Sequence, residues 1–148
     1  MKSYPELAGR IVKWISDYAK ENEISTLVIG VSGGVDSAVT STLCAETGLR
    51  TIALSMPIHQ RKSQNDLSLS HCNWLKSNWN NVETDIIDLS ETFDSISLAL
   101  GSKGNSEMAL ANTRARLRMA TLYAFAASNE GIVAVSYTHL TLPTRLPV

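Results

Sequence analysis

Four short β-rich runs alternate with helical stretches, and that alternation restricts the fold more than any other feature of the chain. The runs are "TLVIGV" (26–31), "TIALSM" (51–56), "VETDIIDL" (82–89) and "IVAV" (132–135). Each is too short for a helix and rich in β-branched residues, as expected of strands buried on both faces. Before the first lies a helix over 5–21, with Leu7, Ile11, Trp14, Ile15 and Tyr18 at three- and four-residue spacing and Pro5 in its first turn. Further helices are expected over 36–47, stopped by Gly48, and over 63–77, with Leu67, Leu69, Cys72, Trp74 and Leu75. Another is expected over 90–100, with Ser90 as its cap. "GSKGNS" (101–106) reads as a flexible loop, and 107–130 as the strongest helix, ended by Gly131. Strand–helix alternation predicts an α/β fold: a doubly wound parallel sheet with helices on both faces. Such a sheet takes ligands at the carboxyl ends of its strands.

The first run ends in "SGGVDS" (32–37). Adjacent glycines admit positive φ and let backbone approach a ligand closely. Successive N–H groups can form an anion-binding concavity, and the helix that follows adds its own N–H groups and positive dipole end. Ser32 and Ser37 can donate to phosphate oxygens. Asp36 beside an anion makes sense as a ligand of Mg²⁺ bridging carboxylate and phosphate. The plainer alternative is a turn in which Asp36 or Ser37 merely caps the helix. The full SGGxDS pattern behind a buried strand argues against it. There is no G-x-x-x-x-G-K-[ST], so Walker-type γ-phosphoryl transfer is not expected.

Composition sets limits on partners. The chain has 148 residues, 44% hydrophobic and 18% charged, enough for one domain with a core. A net charge of −1 supplies no global basic field for nucleic acid, although small anions need only local positive charge. Cys44 and Cys72 fall in no metal-ligand spacing and read as reduced thiols of a cytoplasmic protein, with Cys44 in the core. No apolar stretch reaches the roughly 18 residues of a membrane span, and "MKSYPELAGR" lacks the apolar region of a secretory signal.

Local positive charge is found in "ALANTRARLRMATLYAFA", where Arg114, Arg116 and Arg118 interrupt an apolar helix without acidic residues four positions away. At about 100° per residue, Arg114 and Arg118 share a face and Arg116 points elsewhere. A solvated basic face is one reading; an anionic partner such as nucleotide phosphates is the other.

The SGGxDS loop resembles the pyrophosphate-binding loop of the ATP pyrophosphatase superfamily. Those enzymes cleave ATP between the α and β phosphates, adenylate an oxygen, and let a nitrogen or sulfur nucleophile displace AMP. "NTRARLRM" (112–119) is similar to the N-x-[KR]-[AS]-R-x-R-M helix of NAD synthetases, and "LSMPIHQ" (54–60) to the segment lining their adenine pocket. From about residue 4 to Val135 the chain resembles the ammonia-dependent NAD⁺ synthetase family, with its adenine nucleotide alpha hydrolase-like, Rossmann-like fold. The resemblance implies adenylation of the nicotinate carboxylate of deamido-NAD⁺ by Mg-ATP and displacement of AMP by ammonia. It implies an ATP site at Gly30, Val31, Ser32, Gly33, Gly34, Val35, Asp36, Ser37 and Met56, with Asp36 a Mg²⁺ ligand. It implies contacts with deamido-NAD⁺ from Arg116, Asn112, Arg114, Arg118 and Tyr18. Tyr18 lies where a family tyrosine stacks on the nicotinate ring, and equally fits an ordinary helix aromatic. His59 reads as a solvent-facing loop residue.

The family is homodimeric, and the apolar sides of the helices at 5–21 and 107–130 serve either that contact or the core. Residues 1–25 leave no room for a glutaminase domain before the first strand, which makes free ammonia the expected nitrogen donor.

One departure from the family is expected to matter. After "GIVA" the family continues with a G-T-x-N-x-x-E-like segment carrying a threonine near ATP and a second Mg²⁺ ligand; here Val135, Ser136 and Tyr137 stand instead. The first part of "SYTHLTLPTRLPV" (136–148) resembles translated sequencing-adapter DNA, so 1–135 reads as the native part, incomplete at its C-terminus and inactive alone. Two other readings stay open: a related ligase of the GMP synthetase or tRNA-modifying kind, and a non-catalytic nucleotide-binding module.

Overall fold

The computed structural model describes residues 3–136; the tail from Tyr137 onward lies outside the described residues. Its elements follow in the order α1 (Tyr4–Glu21), β1 (Thr26–Gly30), α2 (Val35–Glu46), β2 (Arg50–Ser55), α3 (Lys62–Asn78), β3 (Val82–Ile86), α4 (Ser90–Gly104), α5 (Glu107–Ser128) and β4 (Gly131–Ala134). All strand pairs are parallel, in the order β3-β2-β1-β4. Helices cover both faces, as the alternation of elements predicts.

The continuous apolar runs are explained by period-2 alternation between two cores. Leu27, Ile29, Val31 and Ala53 face α1, α2 and α3, meeting Cys44, Ala45, Cys72 and Leu75. Val28, Ile52, Leu54 and Met56 face α4 and α5, meeting Phe93, Leu122 and Ala126. The two cysteines are buried free thiols, and burial pushes Cys44 up to about 12. Ser3 caps α1 and Ser106 caps α5, each accepting an N–H from the third residue on. Gly48 ends α2 at φ 76°. No helix among the described residues is long and apolar enough to cross a membrane.

Three local expectations are corrected. The third strand stops at Ile86 rather than 89: it is an edge strand, and Asp85 Oδ1 takes the Ile86 N–H at 2.8 Å. Ser90 does not cap α4. Its own N–H donates to Asp88 Oδ1 at 2.9 Å, and its hydroxyl accepts the His59 N–H at 3.1 Å. The loop expected over 101–106 is helical through Gly104, kinked where Gly101 takes φ 59°; Asn105 Nδ2 donates back to Ser97 O at 3.0 Å and closes it. On α3 the inward residues are Ser68, Cys72 and Leu75, while Leu67 and Trp74 are exposed.

Two glycines give opposite expectations. A Cβ on Gly131 would sit 2.7 Å from the carbonyl oxygen of its register partner Thr26, whereas one on Gly9 meets nothing within 4 Å. Gly131→Ala should lose about 1–3 kcal/mol in urea unfolding. Gly9→Ala, in the exposed interior of α1, should gain about 0.5–1 kcal/mol in the same measurement.

Candidate functional site

Strand β1 lies between β2 and β4, and the chain leaves it toward one face while returning to β4 from the other. The strand order therefore reverses beside β1, and a cleft opens at its carboxyl end. A cavity of about 390 Å³ occupies that cleft. Gly30, Val31, Ser32 and Ser37 form one wall, Met56 and Gln60 a second, and Arg116, Arg118, Met119 and Leu122 of α5 a third. Ala134, Val135 and Ser136 close the far edge.

Two serines stitch the loop together. Ser37 Oγ accepts the Ser32 N–H at 3.1 Å and donates to Gly34 O at 2.9 Å. Ser32 Oγ lies 3.1 Å from Ser37 Oγ and accepts the Gly34 N–H at 3.3 Å. Gly33 takes φ 83°. The N-cap of α2 is Gly34, with no side-chain cap bond, so neither Asp36 nor Ser37 caps the helix. Its first-turn N–H groups face outward with the positive end of the helix dipole. Asp36 sits exposed in that first turn, next to Ser37. Gly33, Gly34 and Val35 line a second hollow behind the loop, with Leu67 and His71 of α3.

The three arginines divide differently from the face pattern of an ideal helix. Arg116 and Arg118 both reach the cavity, although about 200° apart around the axis, because long side chains wrap the helix. Arg118 Nε donates to Met56 O at 2.9 Å, and burial, then the charge of Arg114, lowers its pKa. Arg116 Nη1 lies 3.3 Å from Asn112 Oδ1. Arg114 lies over the Phe93 ring at 4.7 Å, away from the cavity. None of the ion pairs among the described residues involves these arginines. Tyr18 stacks on Trp14 at 5.9 Å on α1 and does not line the cavity. His59, read as solvent-facing, is exposed but pairs with Asp94 at 2.8 Å. Gln60 and Met119, the last residues of "LSMPIHQ" and "NTRARLRM", also line the cavity, although neither was named as a site residue; Leu122, which belongs to no motif, does so too.

Residues 7–139 match the family described as NAD synthase. The chain belongs to that family. It is 31% identical over 132 residues to an NH(3)-dependent NAD(+) synthetase of Finegoldia magna, covering 88% of this chain and 52% of the relative. Against that of Mycoplasma genitalium it is 32% identical, covering 81% and 48%. The NH3-dependent NAD synthetase structure from Campylobacter jejuni superposes with a TM-score of 0.78 at 28% identity, covering 90% of this chain and 56% of that one. An NMN synthetase from Francisella tularensis gives the same TM-score at 31% identity, covering 90% and 54%. The chain thus spans about half the length of the NAD synthetases it matches, and its parallel sheet is theirs.

Two measurements probe the loop and its support. Ser37→Ala removes the acceptor for Ser32 N–H and the donor to Gly34 O, and should cost about 1–3 kcal/mol in denaturant unfolding. Behind the loop, His71 Nε2 lies 2.8 Å from buried Ser41 Oγ, and burial lowers the imidazole pKa from its ordinary 6.5. The unfolded chain therefore binds that proton more readily, and stability rises with pH. The contribution is present above about 6.5 and lost as pH falls through the lower folded value. His71→Gln should flatten the stability profile in that window. The depressed carboxylates Glu83, held by Arg50, and Asp88, held by Ser90, act only at more acidic pH.

Proposed function

We infer that this chain carries the ATP-binding part of an ammonia-dependent NAD⁺ synthetase. The observation that carries this reading is one cavity lined on one side by Ser32 and Ser37, the serines that stitch the loop at the start of α2, and on another by two arginines without carboxylate partners. Both are suited to polyphosphate, and Met56, Met119 and Leu122 add an apolar wall suited to adenine.

In this reading the uncommitted N–H groups at the start of α2 and the Ser32 hydroxyl hold the β- and γ-phosphates, while Ser37 keeps the loop in shape. Arg116 and Arg118, with Asn112 beside Arg116, attract the anionic acid dinucleotide. The nicotinate carboxylate attacks the α-phosphorus, forming a P–O bond as the α–β bridge breaks and pyrophosphate leaves. Ammonia then attacks the activated carbonyl carbon, a C–N bond replaces the C–O bond to AMP, and a proton is released. Loop and arginines favour the first step by stabilising charge that builds on the departing pyrophosphate. Arg114 and Tyr18 lie outside the cavity and are assigned weaker parts, Tyr18 at a subunit boundary. Leu7, Trp14 and Tyr18 give α1 an exposed apolar surface for the second copy of a homodimer.

Asp36 would hold Mg²⁺, which when bound neutralises phosphate charge. Asp36 is not itself a lining residue, but it is a hard oxygen donor exposed in the first turn of α2 beside Ser37 of the cavity wall, which suits a cation that keeps phosphate and water among its ligands. Ala134 to Ser136 bring no second carboxylate to the cavity edge.

Calorimetry and a coupled product assay test the reading together. The 148-residue chain should bind ATP more tightly with Mg²⁺ than without. Asp36→Asn should erase that difference, about tenfold in Kd, with stability nearly unchanged because Asp36 is exposed. Given deamido-NAD⁺, or its mononucleotide acid, with ATP and ammonium, the chain should form no amide product. Appreciable turnover abolished by Asp36→Asn would overturn the inactivity. Tight binding of another acceptor nucleotide in place of deamido-NAD⁺ would favour a related ligase.

A further inference from the structure

We propose that Ser68 of α3 is a positioning residue that aims the glycine–serine loop, a role resting on the reading of that loop as the phosphate site. Val31 leaves β1 with its N–H still on Leu54 O of β2, at 2.8 Å. Its carbonyl has no strand partner; Ser68 Oγ donates to it at 2.8 Å. The same hydroxyl lies 2.9 Å from Ser55 Oγ, at the last residue of β2; with its one proton on Val31 O, it accepts there from the Ser55 hydroxyl. Both serines are buried, at 4% and 2% exposure, so neither hydroxyl has water as an alternative partner.

Peptide planarity carries the effect onward. With the Val31 carbonyl turned toward α3, the Ser32 N–H in the same plane points the opposite way. There it meets Ser37 Oγ at 3.1 Å, and the Ser37 hydroxyl proton goes on to Gly34 O at the N-terminus of α2. The loop touches α3 a second time at Gly33, where a Cβ would stand 2.8 Å from Gln64 O and 3.3 Å from Ser68 N. The start of the loop and its tightest turn are thus both referenced to residues 64–68. An alanine at 68 would fill most of the same space and leave the Val31–Ser32 peptide free to rotate. Ser68 does not line the cavity, so it acts through the loop and not on a ligand.

The test combines local hydrogen exchange with MgATP binding on the 148-residue chain. In Ser68→Ala, amides of residues 32–35 should exchange about tenfold faster while those of 27–30 in β1 keep their wild-type rates. The Kd for MgATP should rise roughly five- to tenfold. Ser55→Ala, which spares the bond to Val31 O, should produce a smaller change of the same kind. Should Ser68→Ala not fold, Ser68→Cys retains the volume with a far weaker donor and carries the comparison. Loop exchange that stays at wild-type rates, or rises only in step with β1, would overturn the positioning role. Wild-type chain that fails to bind MgATP while the exchange contrast persists would overturn the ATP reading and leave the positioning role standing.

Discussion

The structure depends on where β1 ends. Its neighbours are both parallel to it, and the connections to them leave on opposite faces of the sheet. Burial on both faces explains why Leu27, Val28 and Ile29 are consecutive and apolar. It also means that polar chemistry is excluded along the strand and becomes available only where β1 stops being covered. Beyond Gly30 the helices part, the ladder to β4 ends, and backbone groups need other partners. Cavity, loop and arginine helix all gather at that point because the topology leaves nowhere else for them.

How the loop meets that need decides what it can bind. A carboxylate at position 37 would accept the Ser32 N–H but repel both the Gly34 carbonyl and an incoming anion. A serine hydroxyl accepts one and donates to the other while adding no charge. The internal demands of the turn are met by two neutral side chains, and the N–H groups of α2 remain uncommitted. Positive potential from the helix end is then spent on whatever enters the cleft. The same logic separates the arginines. Arg114 finds a neutral partner in Phe93, whereas Arg118 is partly buried against a single carbonyl with no carboxylate to offset its charge. A guanidinium held that way is costly without an anion, which is why Arg118 weighs more than Arg114 in assigning the site.

Much of this was legible in sequence. The number of strands, their order along the chain, the parallel sheet and the family were readable because continuous β-branched apolar runs and SGGxDS are local signals. The errors fell where local signals compete with tertiary ones. Ser90 looks like a helix cap, but Asp88 reaches its N–H first and His59 takes its hydroxyl. "GSKGNS" looks like a loop, but a single positive φ at Gly101 absorbs the break and lets a helical turn continue. Helical-wheel spacing paired Arg114 with Arg118, while the cavity collects Arg116 and Arg118, since the reach of an arginine exceeds the width of a helix face. Leu122 was invisible because, on a helix rich in apolar residues, no local pattern tells which of them reaches the cavity.

The glycine pair shows best how the structure alters a correct reading. From sequence, adjacent glycines are explained by a ligand that needs close backbone approach. In the fold, Gly33 is constrained from behind: its φ is 83°, and a side chain there would strike the Gln64 carbonyl. The residue is thus required by the packing of the loop on α3 before any ligand arrives. Gly34 has only Ser32 Oγ near its missing Cβ, at 3.4 Å, so its φ and its surroundings leave it far less constrained. The first glycine sets the loop against its support, and the second is the N-cap residue from which α2 starts. A phosphate-binding loop of this kind is therefore as much a helix–loop packing motif as a ligand motif, and the residues of α3 that receive it belong to the site although none of them touches the cavity.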